Sequence, residues 1–359
     1  MPPASAPAAD FWIVPVNMNK HSITLAVDAL GGDTGMDVMV PACLLALSQD
    51  SDLNIHLFGD QQRMEGLLGC APGSITDRIS FAHTSKSIGM AEKPVAALRR
   101  GQDSSIWLAL ESVRDQQADA CVSAGNTGAL MVLARKLIGT LQYIDRPALM
   151  AWLPSESGHT YLLDLGANVG VRATHLVQFA IMGSVTAQAV DGIEQPRVGL
   201  INVGREDSKG HEVLREAAAT LEKLPINYVG FVEGNDIYQG EVNVAVCDGL
   251  IGNAILKSSE GLARMLFGAI QAELGNDWRG KLAGLLGRRS FQSLLDRFDP
   301  GSHNGAALLG LKQIVVKSHG SADIDATAKA ISTAALETRR HVPGTIEKMM
   351  QEYAAGAAQ

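Results

Sequence analysis

Cysteine is scarce and unpaired: Cys43, Cys70, Cys121 and Cys247 stand far apart in a chain of 359 residues. No Cys-x-x-Cys pair or Cys/His cluster is present, so no metal is expected. Isolated cysteines of this kind read as small buried hydrophobes in a reducing compartment, the cytoplasm. Aromatic residues make up only 5%, and 38 acids outnumber 30 bases for a net charge of −8. Such a chain lacks the basic face that nucleic-acid phosphates require, so no nucleic-acid partner is expected. No apolar run approaches the ~18 residues that span a bilayer. Residues 1–20 are rich in Pro and Ala and carry Asp10 and Pro15. They lack a basic segment followed by an apolar core, so they read as a flexible tail and not as a signal peptide.

Glycine, in contrast, is abundant, at 37 residues. Short apolar runs alternate with amphipathic stretches, which predicts an α/β fold: three layers, αβα, around a mostly parallel sheet. Strands are predicted at 22–29, 53–58, 78–82, 119–122, 197–203, 227–232, 242–247 and 313–317. Two more, at 148–153 and 160–165, lie close enough to pair as a hairpin. Helices are predicted over 38–48, 102–116, 127–140, 175–190, 210–224, 253–274 and 322–340. No repeat or linker divides the chain, so residues 21–345 read as one unit of two lobes, with a C-terminal tail over 346–359.

The glycines follow strand ends. Asp28-Ala-Leu-Gly31-Gly32-Asp33, Ser123-Ala-Gly125-Asn126-Thr127-Gly128 and Asp164-Leu-Gly-Ala-Asn168 each close an apolar run. Asp248-Gly-Leu-Ile-Gly-Asn253 and Lys317-Ser-His319-Gly320 do the same. One such loop is an ordinary turn. The set, with Asp, Asn, Ser or Lys beside nearly every glycine, predicts an anion-binding crevice at the carboxyl ends of the strands. The dinucleotide fingerprint, the P-loop and the G-x-S-x-G elbow are all absent, which removes the usual supports of hydride transfer, NTP hydrolysis and serine hydrolysis.

One segment departs from the acidity. Residues 276–299 carry Arg279, Lys281, Arg288, Arg289 and Arg297 beside Leu285, Phe291 and Leu294. This predicts a basic amphipathic helical hairpin, interrupted near Gly284 and Gly287, that meets an anionic membrane surface, an acidic protein or a second subunit.

Together the ordered loops resemble the bacterial phosphate acyltransferase (PlsX) family of phospholipid synthesis. Glu92-Lys93-Pro94, the stretch 176–183 and Gly230-Phe-Val-Glu-Gly-Asn-Asp236 add to the match, which runs from Ile23 to Arg340. Gly170 stands where the family usually has Asp, Gly35-Met36 replaces a frequent Gly-Pro, and residues 303–307 replace a Tyr-Gly-Gly stretch. The resemblance implies a fold similar to the isocitrate/isopropylmalate dehydrogenase and phosphotransacetylase group. It implies transfer of an acyl group from acyl carrier protein to inorganic phosphate, without a cofactor. It also implies a homodimer, cytoplasmic and peripherally membrane-associated, working beside a membrane glycerol-3-phosphate acyltransferase. His319, Lys317 and Asp248 are then the expected catalytic residues. Phosphate and substrate contacts are expected from Asp28, Gly31, Gly32, Asp33, Lys93, Ser123, Gly125, Asn126, Thr127, Gly128, Asp164, Asn168, Asn253 and Lys257. Leu285, Arg288, Arg289, Phe291 and Leu294 are expected to meet membrane or carrier protein. A phosphotransacetylase-like enzyme using acyl-CoA and a non-enzymatic phosphate-binding membrane scaffold are the rival readings.

Overall fold

The computed structural model describes residues 22–69, 71–206, 209–276, 278–289, 291, 294 and 304–357. The predicted tail over 1–20 and Cys70 lie outside these residues. Cys43, Cys121 and Cys247 are buried free thiols, as their isolation implied.

Eleven strands form one sheet in the order β3-β2-β1-β4-β11-β10-β5-β6-β9-β7-β8. The first half contains β1 (Ile23–Asp28), β2 (Leu53–Gly59), β3 (Ile79–His83), β4 (Ala120–Ser123) and β11 (Ile314–Lys317). All pair in parallel. The second half contains β6 (Gly158–Leu163), β9 (Val244–Val246), β7 (Val198–Ile201) and β8 (Tyr228–Val232), also parallel to one another. Between them lie β10 (Ala306–Leu309) and β5 (Ala148–Ser155). β10 is antiparallel to β11 and to β5, and β5 is antiparallel to β6 in the predicted hairpin. Three successive reversals leave the second half running opposite to the first.

Helices cover both faces. On one side α1 (Met36–Gln49) packs against α12 (Ile324–Arg339), and α7 (Ala173–Asp191) packs against α8 (Glu212–Leu221) and α13 (Val342–Ala357). On the other side lie α5 (Ser105–Arg114) and α6 (Thr127–Leu137). Helix α7 is buried without a break from His175 to Ala189, as a helix enclosed by its neighbours must be. Beneath α5 and α6 a single apolar layer runs from Cys121 and Val315 through Leu308 and Leu149 to Leu162 and Ala245, tying both halves together.

Two expectations are corrected. The predicted C-terminal tail is α13, which buries Ile346, Met349 and Met350; their i, i+3, i+4 spacing gives it one apolar face. The predicted hairpin within 276–299 is differently built. Its first arm is the end of a long helix, α10 (Gly249–Asn276), and its second is α11 (Trp278–Leu286), with Gly284 facing Leu274. The interruption expected near Gly287 is present, since α11 ends at Leu286 and Gly287 is a turn residue, although its N–H donates to Ala283 and its carbonyl accepts from Phe291. The short helices α2 (Gln61–Leu68), α3 (Gly73–Thr76), α4 (Pro94–Arg100) and α9 (Asp236–Gln239) fill connections.

Candidate functional site

Strand direction divides the predicted crevice into two places. One register row crosses the sheet through Val27, Val122, Val316, Ala307, Met150, Leu163 and Val246. From this row β1, β4 and β11 step one way into Asp28, Ser123 and Lys317. β6 and β9 step the other way into Asp164 and Asp248. The two groups of loops therefore leave opposite edges of the sheet.

The first group lies at the point where strand order reverses, since β1 is flanked by β2 on one side and β4 on the other. Ligands of parallel sheets collect in the crevice at such a point. Asp28 is buried, and its Oδ2 accepts a hydrogen bond of 2.6 Å from the Ser123 hydroxyl. That oxygen of Ser123 in turn accepts from the Gly125 N–H at 3.0 Å. Burial pushes the Asp28 carboxyl above the usual range, against the opposing bonds from Ser105, Ser123 and the loop amides. Gly31 is required here: a Cβ would lie 2.6 Å from Asp28 Oδ2 and 2.7 Å from the Gly125 nitrogen. Asp33 donates its N–H to Gly320, which latches the first loop to the last, and Gly32 at φ +90 makes the bend between them.

Lys317 closes the wall. It is 7% exposed, and its Nζ donates to Ala124 O at 3.2 Å and to Ser318 O. Burial lowers its pKa to about 8, opposed by the charges of Asp28 and Asp33 and assisted by Lys257. His319 follows at the exposed rim. Its Nδ1 lies 3.0 Å from the Ser321 hydroxyl and accepts from the Ser321 N–H at 3.4 Å. In the neutral ring the proton is then on Nε2. Desolvation and the Lys257 charge hold this imidazole below its usual pKa. Asn304, from the altered 303–307 stretch, fixes the rim by accepting from the His319 N–H at 2.7 Å and donating to Ser318 Oγ.

The Ser123–Gly128 loop opens α6, though not with every predicted ligand. Ser123 is fully buried and its hydroxyl is committed to Asp28, so it supports the loop from below. Asn126 caps α6 by accepting from Ala129 N, and donates to the carbonyls of Met90 and Glu92. Those bonds hold the preceding loop, and Lys93 with it, beside the helix N-terminus. Thr127 is exposed there, next to first-turn amides that a helix leaves without internal acceptors. From the second half of the molecule α10 brings Lys257 to this crevice, close enough to act on both Lys317 and His319.

The second group is structural in its bonding. The Asp164 carboxylate is buried and accepts four hydrogen bonds: from Leu149 N, Ala167 N, Asn168 N and Asn168 Nδ2. Asn168 Nδ2 also donates to Pro147 O. Asp248 caps α10 through Leu250 N and anchors the Gly170 and Val171 amides at 2.8 and 3.1 Å. Gly252 has no room for a Cβ, which would fall 2.0 Å from Asp164 O. Asn253 packs over Gly166 in the same cluster. Asp164, Asn168, Asp248 and Asn253 are thus gathered, but away from Lys317 and His319.

Sequence reasoning missed Glu260 and Arg264. Glu260 bonds Lys257 Nζ at 2.9 and 3.2 Å and lies 3.6 Å from the Arg264 guanidinium. The available signal was the i, i+3, i+4 charge spacing of the three residues. Of the predicted outer contacts, Leu285, Arg288, Arg289 and Leu294 are exposed, and Phe291 is half-buried.

A family model described as "fatty acid synthesis protein" matches residues 23–343. A phosphate acyltransferase of Nitrosococcus oceani is 47% identical over 332 residues, covering 92% of this chain and 98% of that protein. A phosphate acyltransferase of Shewanella woodyi is 48% identical, covering 92% and 97%. Among solved structures, a phosphotransacetylase from Streptococcus pyogenes superposes with a TM-score of 0.59 at 17% identity, over 90% of this chain and 95% of that one. A branched-chain phosphotransacylase from Enterococcus faecalis gives 0.53 at 13%, over 88% and 99%. These distant structures share the fold. The family is set by the curated relatives and by the family model, which spans the chain from the first strand through the β11 loop and beyond: the chain belongs to the phosphate acyltransferase family.

Proposed function

We propose that this chain transfers the acyl group of an acyl-(acyl carrier protein) thioester to inorganic phosphate, for phospholipid synthesis. The observation that carries the reading is the convergence of buried Lys317, His319 Nε2–H and the α6 N-terminus on one crevice, in which the Ser123 hydroxyl is committed to Asp28. Hydrogenphosphate is itself the nucleophile. Its oxygen forms the new C–O bond, the C–S bond breaks, and the electron pair leaves on sulfur. A thiolate of pKa near ~8.5 leaves without an acid catalyst, and the proton carried in by phosphate ends on it. The chain supplies position and charge. Lys317, Lys257, Thr127 and the first-turn amides hold the dianion, with Lys93 at the rim. The neutral His319 ring donates from Nε2 to the oxyanion of the tetrahedral intermediate. Asp28 and Ser123 hold the loop that carries the amides.

The decisive experiment mixes the full chain with acyl-carrier protein, or with acyl-CoA, and traps acyl phosphate with hydroxylamine. Phosphate-dependent product from the carrier-protein thioester is expected. Product from acyl-CoA alone would favour the phosphotransacetylase-like reading, and none from either would leave a phosphate-binding scaffold.

The α10–α11 arm supports two further assignments: a homodimer, and a peripheral contact with the membrane whose glycerol-3-phosphate acyltransferase would consume the product. Leu285 and Leu286 are 69% and 79% exposed beside Arg288 and Arg289. No helix among the described residues is long and apolar enough to cross a membrane. The double substitution Leu285→Glu/Leu294→Glu should abolish flotation with anionic vesicles while sparing activity in solution. Retained flotation would remove the membrane assignment.

A further inference from the structure

Helix α10 inverts the usual order of burial. Among its described residues only Gly249, Gly252 and Glu260 are buried. Leu262, Met265 and Leu266 on the same helix are more than half exposed. Burying a carboxylate is costly unless it is paired, whereas burying leucine is favourable. Glu260 must therefore be held for its charge. Its two oxygens take Lys257 Nζ at 3.2 and 2.9 Å, and Oε2 lies 3.6 Å from Arg264 Nη2. Arg264 Nε adds a bond to the Glu260 carbonyl at 3.3 Å, fixing the second cation. Both cations are half or more exposed, so each remains open to an arriving anion. Lys257, Glu260 and Arg264 all lie within electrostatic range of His319, at the rim of the crevice.

We propose that Glu260 is a positioning residue that sets anion specificity: its carboxylate occupies the Lys257/Arg264 pair as an internal stand-in for substrate, and only a dianionic tetrahedral oxyanion displaces it. The inference rests on the crevice being the phosphate site and adds to it how the anion is selected. A monoanion such as chloride or acetate carries no more charge than the carboxylate already present. Hydrogenphosphate carries twice as much and draws Lys257 away. Part of the binding energy of phosphate is spent on this exchange, in return for rejecting the commoner monoanions.

The test uses the full chain, wild type and Glu260→Gln, titrated with inorganic phosphate by calorimetry at low and at high salt. Glutamine keeps an acceptor for Lys257 and removes the charge. Phosphate should bind the variant about three- to tenfold more tightly, with the gain shrinking as salt screens it. The KM for phosphate should fall in step without a rise in kcat, and chloride and acetate should become competitive inhibitors. In a Lys257→Ala background the Glu260→Gln gain should largely vanish. Weakened phosphate binding in Glu260→Gln would overturn the inference, because Glu260 would then merely prop Lys257. Unchanged affinity with monoanions still excluded would overturn it too. If Glu260→Gln fails to fold, Glu260→Asp retracts the carboxylate and should give a smaller gain of the same sign; a loss sinks the idea. A wild type that transfers acyl groups while Glu260→Gln gains nothing separates this failure from failure of the proposed activity.

Discussion

The loops after β4 and β11 and the loops after β6 and β9 are written in the same residues: glycine beside Asp, Asn or Ser. Their chemistry differs because their accounts of hydrogen bonds differ. Asp164 has all four of its bonds made within 3.2 Å by the chain itself. Asp248 has both oxygens on backbone amides. Around Lys317 the Ser123 hydroxyl is likewise committed, to Asp28 Oδ2, but Asp28 Oδ1 is buried without a hydrogen-bond partner and the outer layer is not consumed. Thr127, Lys93 and the His319 Nε2 edge stand at the surface of the crevice. A polar loop becomes a candidate site by what it leaves unspent, and a strand-end Asp with every lone pair occupied holds the backbone together.

The widest separation between the two clusters is expected from Lys317→Ala. Loss of a buried cation at developing charge costs about a thousandfold in kcat/KM. The fold should tolerate it, because the substitution also removes the desolvation that burial imposes on the ammonium. Acyl-phosphate formation measured beside a thermal melt reads both. A Lys317→Ala protein within about fivefold of wild type would merge the two clusters again and leave the first without its catalytic distinction.

Asp164→Ala should do the reverse. Three backbone amides and one side-chain amide lose their acceptor inside the protein, which costs about 3–5 kcal/mol of folding stability. Denaturant unfolding measures the loss, and kcat per folded molecule should stay within about threefold. A stable Asp164→Ala protein with kcat abolished would return Asp164 to the reaction.

Much of this arrangement was legible before any coordinates. The alternation of short apolar runs and amphipathic stretches carries the αβα layering, and the close spacing of 148–153 and 160–165 carries the hairpin. The opposed direction of the two halves comes from the β5–β6 hairpin, because β10 is antiparallel to both β11 and β5 and its two reversals cancel. β10 itself, four residues between Gly305 and Gly310, was too short to announce a strand. Reading the strands as parallel throughout makes all the glycine loops appear to meet at a single edge. The commitment of Ser123 to Asp28 was hidden for a different reason: the two are 95 residues apart, and only the pairing of β1 with β4 brings them to 2.6 Å. Glu260 was legible as an ion-pair spacing, but its burial on a helix with exposed leucines was not.

The smallest effect is the most specific. Burial holds Lys317 near a pKa of about 8 against an ordinary 10.5. Below pH 8 its cation is present and attracts phosphate. As pH rises through 8 the charge is lost, and phosphate affinity should fall by up to tenfold per unit until Lys257 and the amides carry the site alone. The kcat/KM for phosphate reads this limb on the free protein, whereas bound dianion restores the proton and moves the kcat limb upward. Folding stability should move the other way. Between pH 8 and 10.5 the unfolded chain holds a proton on Lys317 that the folded chain has released, so this residue's contribution to stability rises with pH. Lys317→Arg keeps its charge throughout and should flatten the affinity limb above pH 8. Because phosphate is already dianionic there, a limb that persists in the arginine variant would have to arise from a group other than Lys317.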